Sequence, residues 1–266
     1  MLSRSFKEKL FFLIIIVSFF YALVDIITTG HWYMLLVIYV IASINGLMGI
    51  NIGCHRYFSH GGFETKPWKE KLLAFWCILA GHSTGPIAFT GIHGHHHKYS
   101  DTEHDVHSPI TRPWWYIASG LVFLDFNRDR ITWSREARKL FAKPYLKWIE
   151  HNYFRIWTGI IAMAYLIGGL DLVIYGFLAP AGYWVLQGSA LINCMGHRPE
   201  VPGSYTNFNN TDYSTNNKFI NWITWGEGFQ NNHHCHPREY NHAMLPGEFD
   251  PAGWIIKKIF AEPKLS

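Results

Sequence analysis

Apolar residues are concentrated in two long blocks along the chain and do not alternate with polar ones. No Lys or Arg occurs between Lys9 and Arg56, an interval of 46 residues, and none occurs between Arg155 and Arg198, an interval of 42 residues. Because a helix of ~20 apolar residues crosses the hydrocarbon core of a bilayer, each interval accommodates two crossings joined by a short turn. The pattern predicts an all-α membrane protein with four transmembrane helices in two hairpins.

The predicted crossings occupy residues 10–28, 33–53, 154–173 and 177–196. The first turn is expected at residues 28–31 and the second within residues 168–180, where glycine and proline occur. No small-residue cleavage site follows the first apolar run, so we interpret this run as a retained anchor and not as a signal peptide. Asp25 is costly in hydrocarbon, and we expect it to face another helix or the turn.

The basic residues lie before the first hairpin, between the hairpins and after the second one. The positive-inside rule therefore predicts a multi-pass membrane protein whose two termini and intervening polar region are cytoplasmic. We expect residues 54–153 and 197–266 to form a helical cytoplasmic cap, and residues 1–266 to be a single domain.

Two segments of the predicted cap are partly apolar. Residues 72–89 are interrupted by Gly81, Gly85 and Pro86, which predicts a buried or re-entrant segment in place of a crossing. Residues 133–148 are predicted to form an amphipathic helix that lies against the lipid headgroups.

Composition supports a membrane protein and disfavours a nucleic-acid partner. Charged residues make up 16% of the chain, below the roughly 25% of a soluble domain. The net charge of +4 is interleaved with acidic residues, which fits an anionic membrane surface better than a nucleic acid. The four cysteines form no CxxC pair, so we expect free thiols: Cys54, Cys77, Cys194 and Cys235.

Histidine is concentrated in one short stretch, where residues 91–107 contain six of the sixteen histidines. Within it, His93, His96 and His97 have the i, i+3, i+4 spacing that places side chains on one helix face. Neutral imidazole is a common ligand of transition metals, so we interpret the stretch as a metal site; the alternative is a polar loop that is merely rich in histidine. His95 breaks the pattern and is expected behind the ligands or facing solvent.

Three further groups of candidate ligands follow the predicted crossings. In HRYFSH, His55 and His60 are five residues apart, about 140° of α-helical rotation, so they could reach one metal only from separate directions where the helix unwinds. In QNNHH, Gln230 precedes His233 and His234 and repeats the i, i+3, i+4 spacing. His197 ends the fourth crossing, where a helix cap is its alternative role.

Eight imidazoles exceed the needs of one metal and suit two. A structural zinc site usually has four ligands with closely spaced cysteines, which are missing here. A redox metal in a nitrogen shell at the membrane face favours oxygen chemistry on a lipid. Nearby acidic residues could orient the imidazole N–H groups, although Glu103 fits a solvated acid better: Asp101, Glu103, Asp105 and Glu227.

The segments HRYFSH, HGHHHKYSDTEHDVH and GEGFQNNHH resemble, in order and spacing, those of the integral-membrane fatty acid desaturases, in particular the acyl-lipid and acyl-CoA Δ9 branches. The resemblance implies an oxidoreductase with two Fe²⁺ ions and O₂ as co-substrate. It implies these catalytic metal ligands: His55, His60, His93, His96, His97, His197, His233 and His234. The segment INCMGH further implies that Asn193 acts through water.

The sequence departs from the Δ9 pattern at Gln230, where that branch usually has histidine. Front-end desaturases have glutamine there, so the position of the double bond is left open, and Gln230 is an additional candidate ligand. No HPGG heme motif is present, and the resemblance then implies a separate electron donor, either ferredoxin or cytochrome b5 with its reductase.

The expected substrate is an acyl chain on a membrane lipid or on CoA. An apolar tunnel should hold the chain, with residues 72–89 and the fourth crossing as candidate walls. Arg56 or Arg198 could bind a phosphate-bearing headgroup, or could serve only as positive-inside residues.

Two alternatives to a desaturase are considered. A hydroxylase or ketolase on the same scaffold differs only in the fate of the substrate radical. A metal transporter would need ionisable residues along its crossings, where this chain has Asp25, Asp171 and little else.

Overall fold

The computed structural model describes residues 3–125 and 133–262, and these residues are mostly helical. Residues 126–132, part of the basic region between the predicted hairpins, lie outside the described residues. The first half of the chain contains α1 (Arg4–Thr29), α2 (Tyr33–Asn45), a π-helix that continues α2 (Gly46–Ser59), α3 (Pro67–Leu79), α4 (Pro86–Tyr99), α5 (Trp114–Ala118) and α6 (Val122–Asp125).

The second half begins with α7 (Arg135–Phe141) and α8 (Pro144–Val173). Helix α8 continues through a π-helical turn (Ile174–Leu178), α9 (Ala179–Gln187), a second π-helical turn (Gly188–Cys194) and a 3₁₀ turn (Met195–His197). Strands β1 (Ser204–Tyr205) and β2 (Asn216–Asn217) form a short antiparallel pair. The last helices are α10 (Lys218–Ile223), α11 (Gln230–Cys235) and α12 (Pro251–Ile255), which a π-helical turn (Ile256–Phe260) extends.

Among the described residues, three helical segments are long and apolar enough to cross a membrane: Arg4–Thr29, Tyr33–Ser59 and Pro144–His197. The third is interrupted inside α8, where Gly168 and Gly169 have non-helical backbone angles. Gly169 has φ +65°, which a residue with a Cβ rarely adopts. This break lies within residues 168–180, where the second turn was expected, and residues 170–173, which were assigned to the third crossing, belong to the helix that follows it.

Contacts with α1 show how the chain reverses at this break. The ring of Phe11 lies 5.0 Å from that of Trp157, before the break. After the break, the Tyr175 hydroxyl donates a hydrogen bond to Asp25, near the C-terminal end of α1. Further along the chain, Gly182 packs against Ile15, near the middle of α1. The helix after the break therefore runs antiparallel to α1, and Asp25 faces another helix as expected.

Both partly apolar segments of the predicted cap divide into two helices. Residues 72–89 are the end of α3, a turn and the start of α4, and they are largely buried as predicted. The single amphipathic helix over residues 133–148 was wrong. Lys143 is extended (φ −89°, ψ 110°) because the following Pro144 disfavours helical backbone at the residue before it, so α7 ends and α8 begins.

Candidate metal centre

The π-helix brings His55 and His60 to one face. In a π-helix residue i bonds to residue i+5, and the His60 N–H donates to the His55 carbonyl at 3.2 Å. The two rings lie 5.0 Å apart. The expectation of two separate approach directions from an unwound helix was wrong, because a five-residue spacing is about one turn of a π-helix.

Helix α4 divides its three candidate ligands between two clusters. His93 and His97 face the π-helix, whereas the ring of His96 lies 5.1 Å from that of His197. The i, i+3, i+4 spacing correctly predicted a shared side of the helix. It did not show that neighbouring turns would serve different clusters.

We call the larger group the first cluster: His55, His60, His93, His97 and His233. One ligand atom from each lies within 4.8 Å of all the others. The Nε2 atoms face one another, at 2.9 Å between His55 and His233 and at 2.7 Å between His60 and His93. Facing lone pairs repel unless a proton or a cation lies between them, so this geometry fits a bound metal.

Burial keeps these imidazoles in the form that binds metals. Desolvation lowers the pKa of His93, His97 and His233 well below the ordinary value, and their neighbouring imidazoles lower it further. The rings are therefore neutral at pH 7 and retain a lone pair for coordination.

The second cluster contains His96, His197 and His234, with ring centroids 4.8–5.1 Å apart. Burial lowers the pKa of His234 to about 4. Gln230 is buried beside the cluster, and its Nε2 donates to the Glu227 carbonyl at 2.7 Å. Because the amide nitrogen is engaged in this bond, the side-chain oxygen remains the atom that could bind a metal.

Each of four histidines has a carboxylate at Nδ1. The distances are 2.7 Å from His55 to Glu227, 3.0 Å from His96 to Asp105, 2.9 Å from His197 to Asp101 and 2.6 Å from His234 to Asp212. A carboxylate that accepts from Nδ1–H fixes the tautomer in which Nε2 is free to bind a metal. The structure thus brings Asp101, Asp105 and Glu227 to the expected positions.

Sequence reasoning missed Asp212 and two buried histidines. Asp212 lies in an Asn-rich segment with no histidine spacing to mark it. The ring of His107 lies 4.3 Å from that of His96, and the ring of His242 lies 4.6 Å from that of His233. His242 stands apart from the candidate ligand groups in the sequence, so only the folded chain shows its place.

His95 lies outside both clusters. It is buried, and its Nε2 lies 2.9 Å from the His104 carbonyl, so the expectation that it could face solvent was wrong. Glu103 is exposed, as expected of a solvated acid.

Arg56 supports the first cluster from behind. It is fully buried, and its guanidinium contacts Asp250 at 2.6 Å and Glu227 at 3.1 Å. Burial alone would raise the pKa of Glu227, but the adjacent His55 and Arg56 lower it well below the ordinary value. The expected role of Arg56 in binding a headgroup was wrong, because its guanidinium is buried and pairs with Asp250 and Glu227 inside the protein. Arg198, the other candidate for binding a headgroup, forms an ion pair with Glu200.

A cavity of about 80 Å³ borders both clusters. Its polar side contains cluster histidines together with Asn193, Glu227 and Gln230, and its walls include Ile50, Phe89, Trp184, Val185 and Ile192. Phe89 comes from the predicted wall segment 72–89, and Trp184, Val185 and Ile192 come from the predicted fourth crossing. We call this the first cavity.

A second cavity, of about 40 Å³, adjoins the first, since His82 and Val185 line both. It is also lined by Phe12, Phe123 and the charged residues Glu8 and Lys9 of α1. The residues that line the two cavities reach from the start of α1 to the two histidine clusters.

Comparison with known proteins identifies the family. A family model described as fatty acid desaturase matches residues 30–251. The chain is 28% identical over 229 residues to an icosanoyl-CoA 5-desaturase from Limnanthes douglasii, which covers 82% of this chain and 60% of the relative. It is 25% identical over 227 residues to a chloroplastic palmitoyl-monogalactosyldiacylglycerol delta-7 desaturase from Arabidopsis thaliana. This alignment covers 85% of this chain and 60% of the relative.

A third relative is an sn-1 stearoyl-lipid 9-desaturase from Anabaena variabilis, 27% identical over 246 residues, which covers 92% of this chain and 87% of the relative. The chain thus spans about 60% of the length of the first two relatives and most of the third. The match of the family model across most of the chain, together with paired histidine clusters beside an apolar cavity, shows that this chain belongs to the fatty acid desaturase family.

Proposed function

We propose that the chain is an O₂-dependent fatty acyl desaturase that introduces a double bond into an acyl chain carried by a membrane lipid or by CoA. The observation that carries this proposal is the first cavity, where two adjoining histidine clusters face apolar walls. The relatives named as acyl-CoA and acyl-lipid desaturases support the same substrate class.

The clusters fit two Fe²⁺ ions. The first cluster would hold one ion through five imidazoles, and the second would hold the other through His96, His197 and His234, with Gln230 as a further ligand and Asn193 acting through water. Bound iron supplies the activation of O₂ and the oxidising power needed to take hydrogen from an unactivated methylene.

The protein's own residues orient and shield the reaction. Asp101, Asp105, Asp212 and Glu227 hold protons on the Nδ1 atoms, which keeps the opposite nitrogens directed at the metals. Phe89, Trp184 and Val185 exclude water and position a chain that has no polar handle near its reacting carbon.

We place the protein in the membrane with four crossings in two hairpins. The segment Pro144–His197 has 54 residues, far more than the ~20 that one crossing needs, and its break at Gly168–Gly169 divides it into two helices of crossing length. Side chains from the turn ends of both hairpins, including Ile26 and Ile174, pack in one cluster, so both turns lie on the same side. By the positive-inside rule, the cap and both termini of this single domain are then cytoplasmic.

The proposal includes a separate electron donor, ferredoxin or cytochrome b5 with its reductase, since the reaction consumes two electrons. Carbon 9 is the proposed position, on the resemblance to the Δ9 branch. The relatives named for positions 5 and 7 make those positions the alternatives.

The test is the fatty-acid profile, with double-bond location, of a host that expresses the chain. We expect a new monounsaturated acid with the wild type and with His151→Ala, an exposed control, but not with His96→Ala or His233→Ala. Hydroxylated or keto products would establish the alternative chemistry on the same scaffold. Wild-type conversion by His96→Ala or His233→Ala would contradict the ligand assignment.

A further inference from the structure

The short helix α10 exposes aromatic side chains. Phe219 is 74% exposed and Trp222 is 58% exposed, whereas Ile220 and Asn221 between them are buried. Phe249, from the segment before α12, is 45% exposed, and its ring stacks on that of Trp222 with 5.4 Å between centroids. We call Phe219, Trp222 and Phe249 the aromatic face. One exposed aromatic residue is ordinary, but three together mark an interaction surface.

The exposed side of α10 is basic as well as aromatic. Phe219 and Trp222 are three residues apart, a spacing that places them on the same side of a helix. Lys218 is exposed next to Phe219, and the six residues of the helix, KFINWI, include no acidic side chain. Aromatic rings with a neighbouring lysine are typical of the boundary between lipid headgroups and acyl chains.

Two hydrogen bonds hold the C-terminal end of α10 against the long apolar helices. The Asn51 side-chain amide donates to the Thr224 carbonyl at 2.8 Å, and the Gln187 amide donates to the Ile223 carbonyl at 3.4 Å. Asn51 and Gln187 belong to two of the three described segments that are long and apolar enough to cross a membrane. Each precedes the histidines of its own segment, so α10 lies at the level where these helices pass from apolar residues to candidate metal ligands.

This level determines what can cover the aromatic face. If the long helices cross a bilayer, the medium outside α10 at that level is the edge of the bilayer itself. Lipid then covers the rings of Phe219 and Trp222 without any further component. A soluble protein would have to displace headgroups in order to reach them.

We propose that the aromatic face is inserted into the boundary between headgroups and acyl chains of the leaflet next to the cap, as an attachment to the membrane that is separate from the crossings. This inference rests on the membrane placement given under the proposed function. Because α10 lies between His197 and Gln230 in the chain, the attachment also anchors the segment that joins the fourth crossing to the last group of candidate ligands.

Fluorescence quenching in lipid nanodiscs tests the depth of the aromatic face. Phe219→Cys and Trp222→Cys are each labelled with bimane in the full-length Cys235→Ser protein. We expect both labels to lose most of their emission to phosphatidylcholine with a nitroxide on its acyl chain, and little to iodide in the water. Phe219→Cys leaves the stacked rings of Trp222 and Phe249 intact, so it serves if Trp222→Cys fails to fold. The other native cysteines are buried: Cys54, Cys77 and Cys194.

Two control positions bracket the result. Val17→Cys, at a site 64% exposed near the middle of α1, should be quenched by the nitroxide lipid because α1 is long and apolar enough to cross. Arg238→Cys replaces a side chain that is 80% exposed and should be quenched by iodide alone. A Cβ added at Gly62 would lie 3.2 Å from the Arg238 carbonyl, so this site lies beyond the end of the π-helix and further from the bilayer than Asn51.

Lipid quenching at Val17→Cys without lipid quenching at Phe219→Cys and Trp222→Cys would overturn the proposal. Iodide quenching at both α10 sites would then assign the aromatic face to water or to a soluble partner. Shielding of both sites from both quenchers would assign it to a second copy of the chain. An absence of lipid quenching at Val17→Cys would refute the membrane placement itself, and this inference with it.

Discussion

Asp212 supplies the orienting carboxylate of His234 in the second cluster. It approaches His234 from the segment that precedes β2, 22 residues earlier in the chain, and the two side chains meet at 2.6 Å. The other three orienting carboxylates lie within or next to the histidine-rich segments, which is why spacing could suggest them. Local periodicity identifies ligands on one helix, but a contact between separate segments depends on the tertiary fold.

We expect Asp212→Asn to weaken metal binding at the second cluster by about 10- to 100-fold, since the amide cannot fix the His234 tautomer as a carboxylate does. Competition with a chelator measures the affinity. Glu200→Gln, which alters an exposed carboxylate paired with Arg198, should leave it unchanged. Equal affinities for Asp212→Asn and the wild type would show that Asp212 does not orient His234.

Gln230 makes the two clusters unequal, because the first offers five imidazoles and the second offers three. An amide oxygen is a weaker ligand for iron than imidazole. We therefore expect Gln230→His to increase metal retention by the second cluster during dialysis against a chelator, measured as metal per chain. Gln187→His is the control, since the amide of this α9 residue hydrogen-bonds to Tyr183 and to the Ile223 carbonyl. A Gln230→His protein that retains no more metal than the wild type would contradict ligation at position 230.

At the scale of elements, the π-helix is the feature that the hydrophobic pattern could not predict. An apolar run has the same composition in an α-helix and in a π-helix, so the pattern gave the crossing at residues 33–53 but not its continuation through His55 to Ser59. Glycines in this helix permit close packing against α3. A Cβ added at Gly49 would lie 2.3 Å from the Trp76 carbonyl oxygen.

We expect Gly49→Ala to destabilise the protein by about 1–3 kcal/mol, because the new methyl must separate the π-helix from α3. The thermal unfolding midpoint in detergent is the measurement. Gly159→Ala is the matched control, since a Cβ there meets nothing within 4 Å. If both variants unfold at the same temperature, the close contact between the π-helix and α3 is not present in solution.

For the whole molecule, the distribution of positive charge predicted two hairpins, and the break at Gly168–Gly169 supports that arrangement. The break lies at the start of the range 168–180 in which the turn was expected, because two consecutive glycines allow a reversal before the proline-containing part of that range. The eight predicted histidines fall into two compact groups, yet the sequence did not show which group each would join.

Cysteine labelling of intact cells tests the topology. In a Cys235→Ser background, Thr29→Cys and Asp171→Cys lie near the two proposed outer turns and should react with an impermeant maleimide. The exposed native Cys235 belongs to the proposed cytoplasmic cap and should react only after permeabilisation. If Asp171→Cys does not react with the maleimide in intact cells, an outer turn at Gly168–Gly169 is contradicted. If native Cys235 reacts in intact cells, the cap lies on the outer side of the membrane and the proposed orientation is wrong.

We propose that the two adjoining histidine clusters each hold one metal ion. The most direct measurement is the total transition metal bound per chain, determined by mass spectrometry of the protein purified from iron-supplemented cells. We expect two ions per chain in the wild type, one for each cluster. A value of one or zero in the folded protein would contradict the paired metal centre.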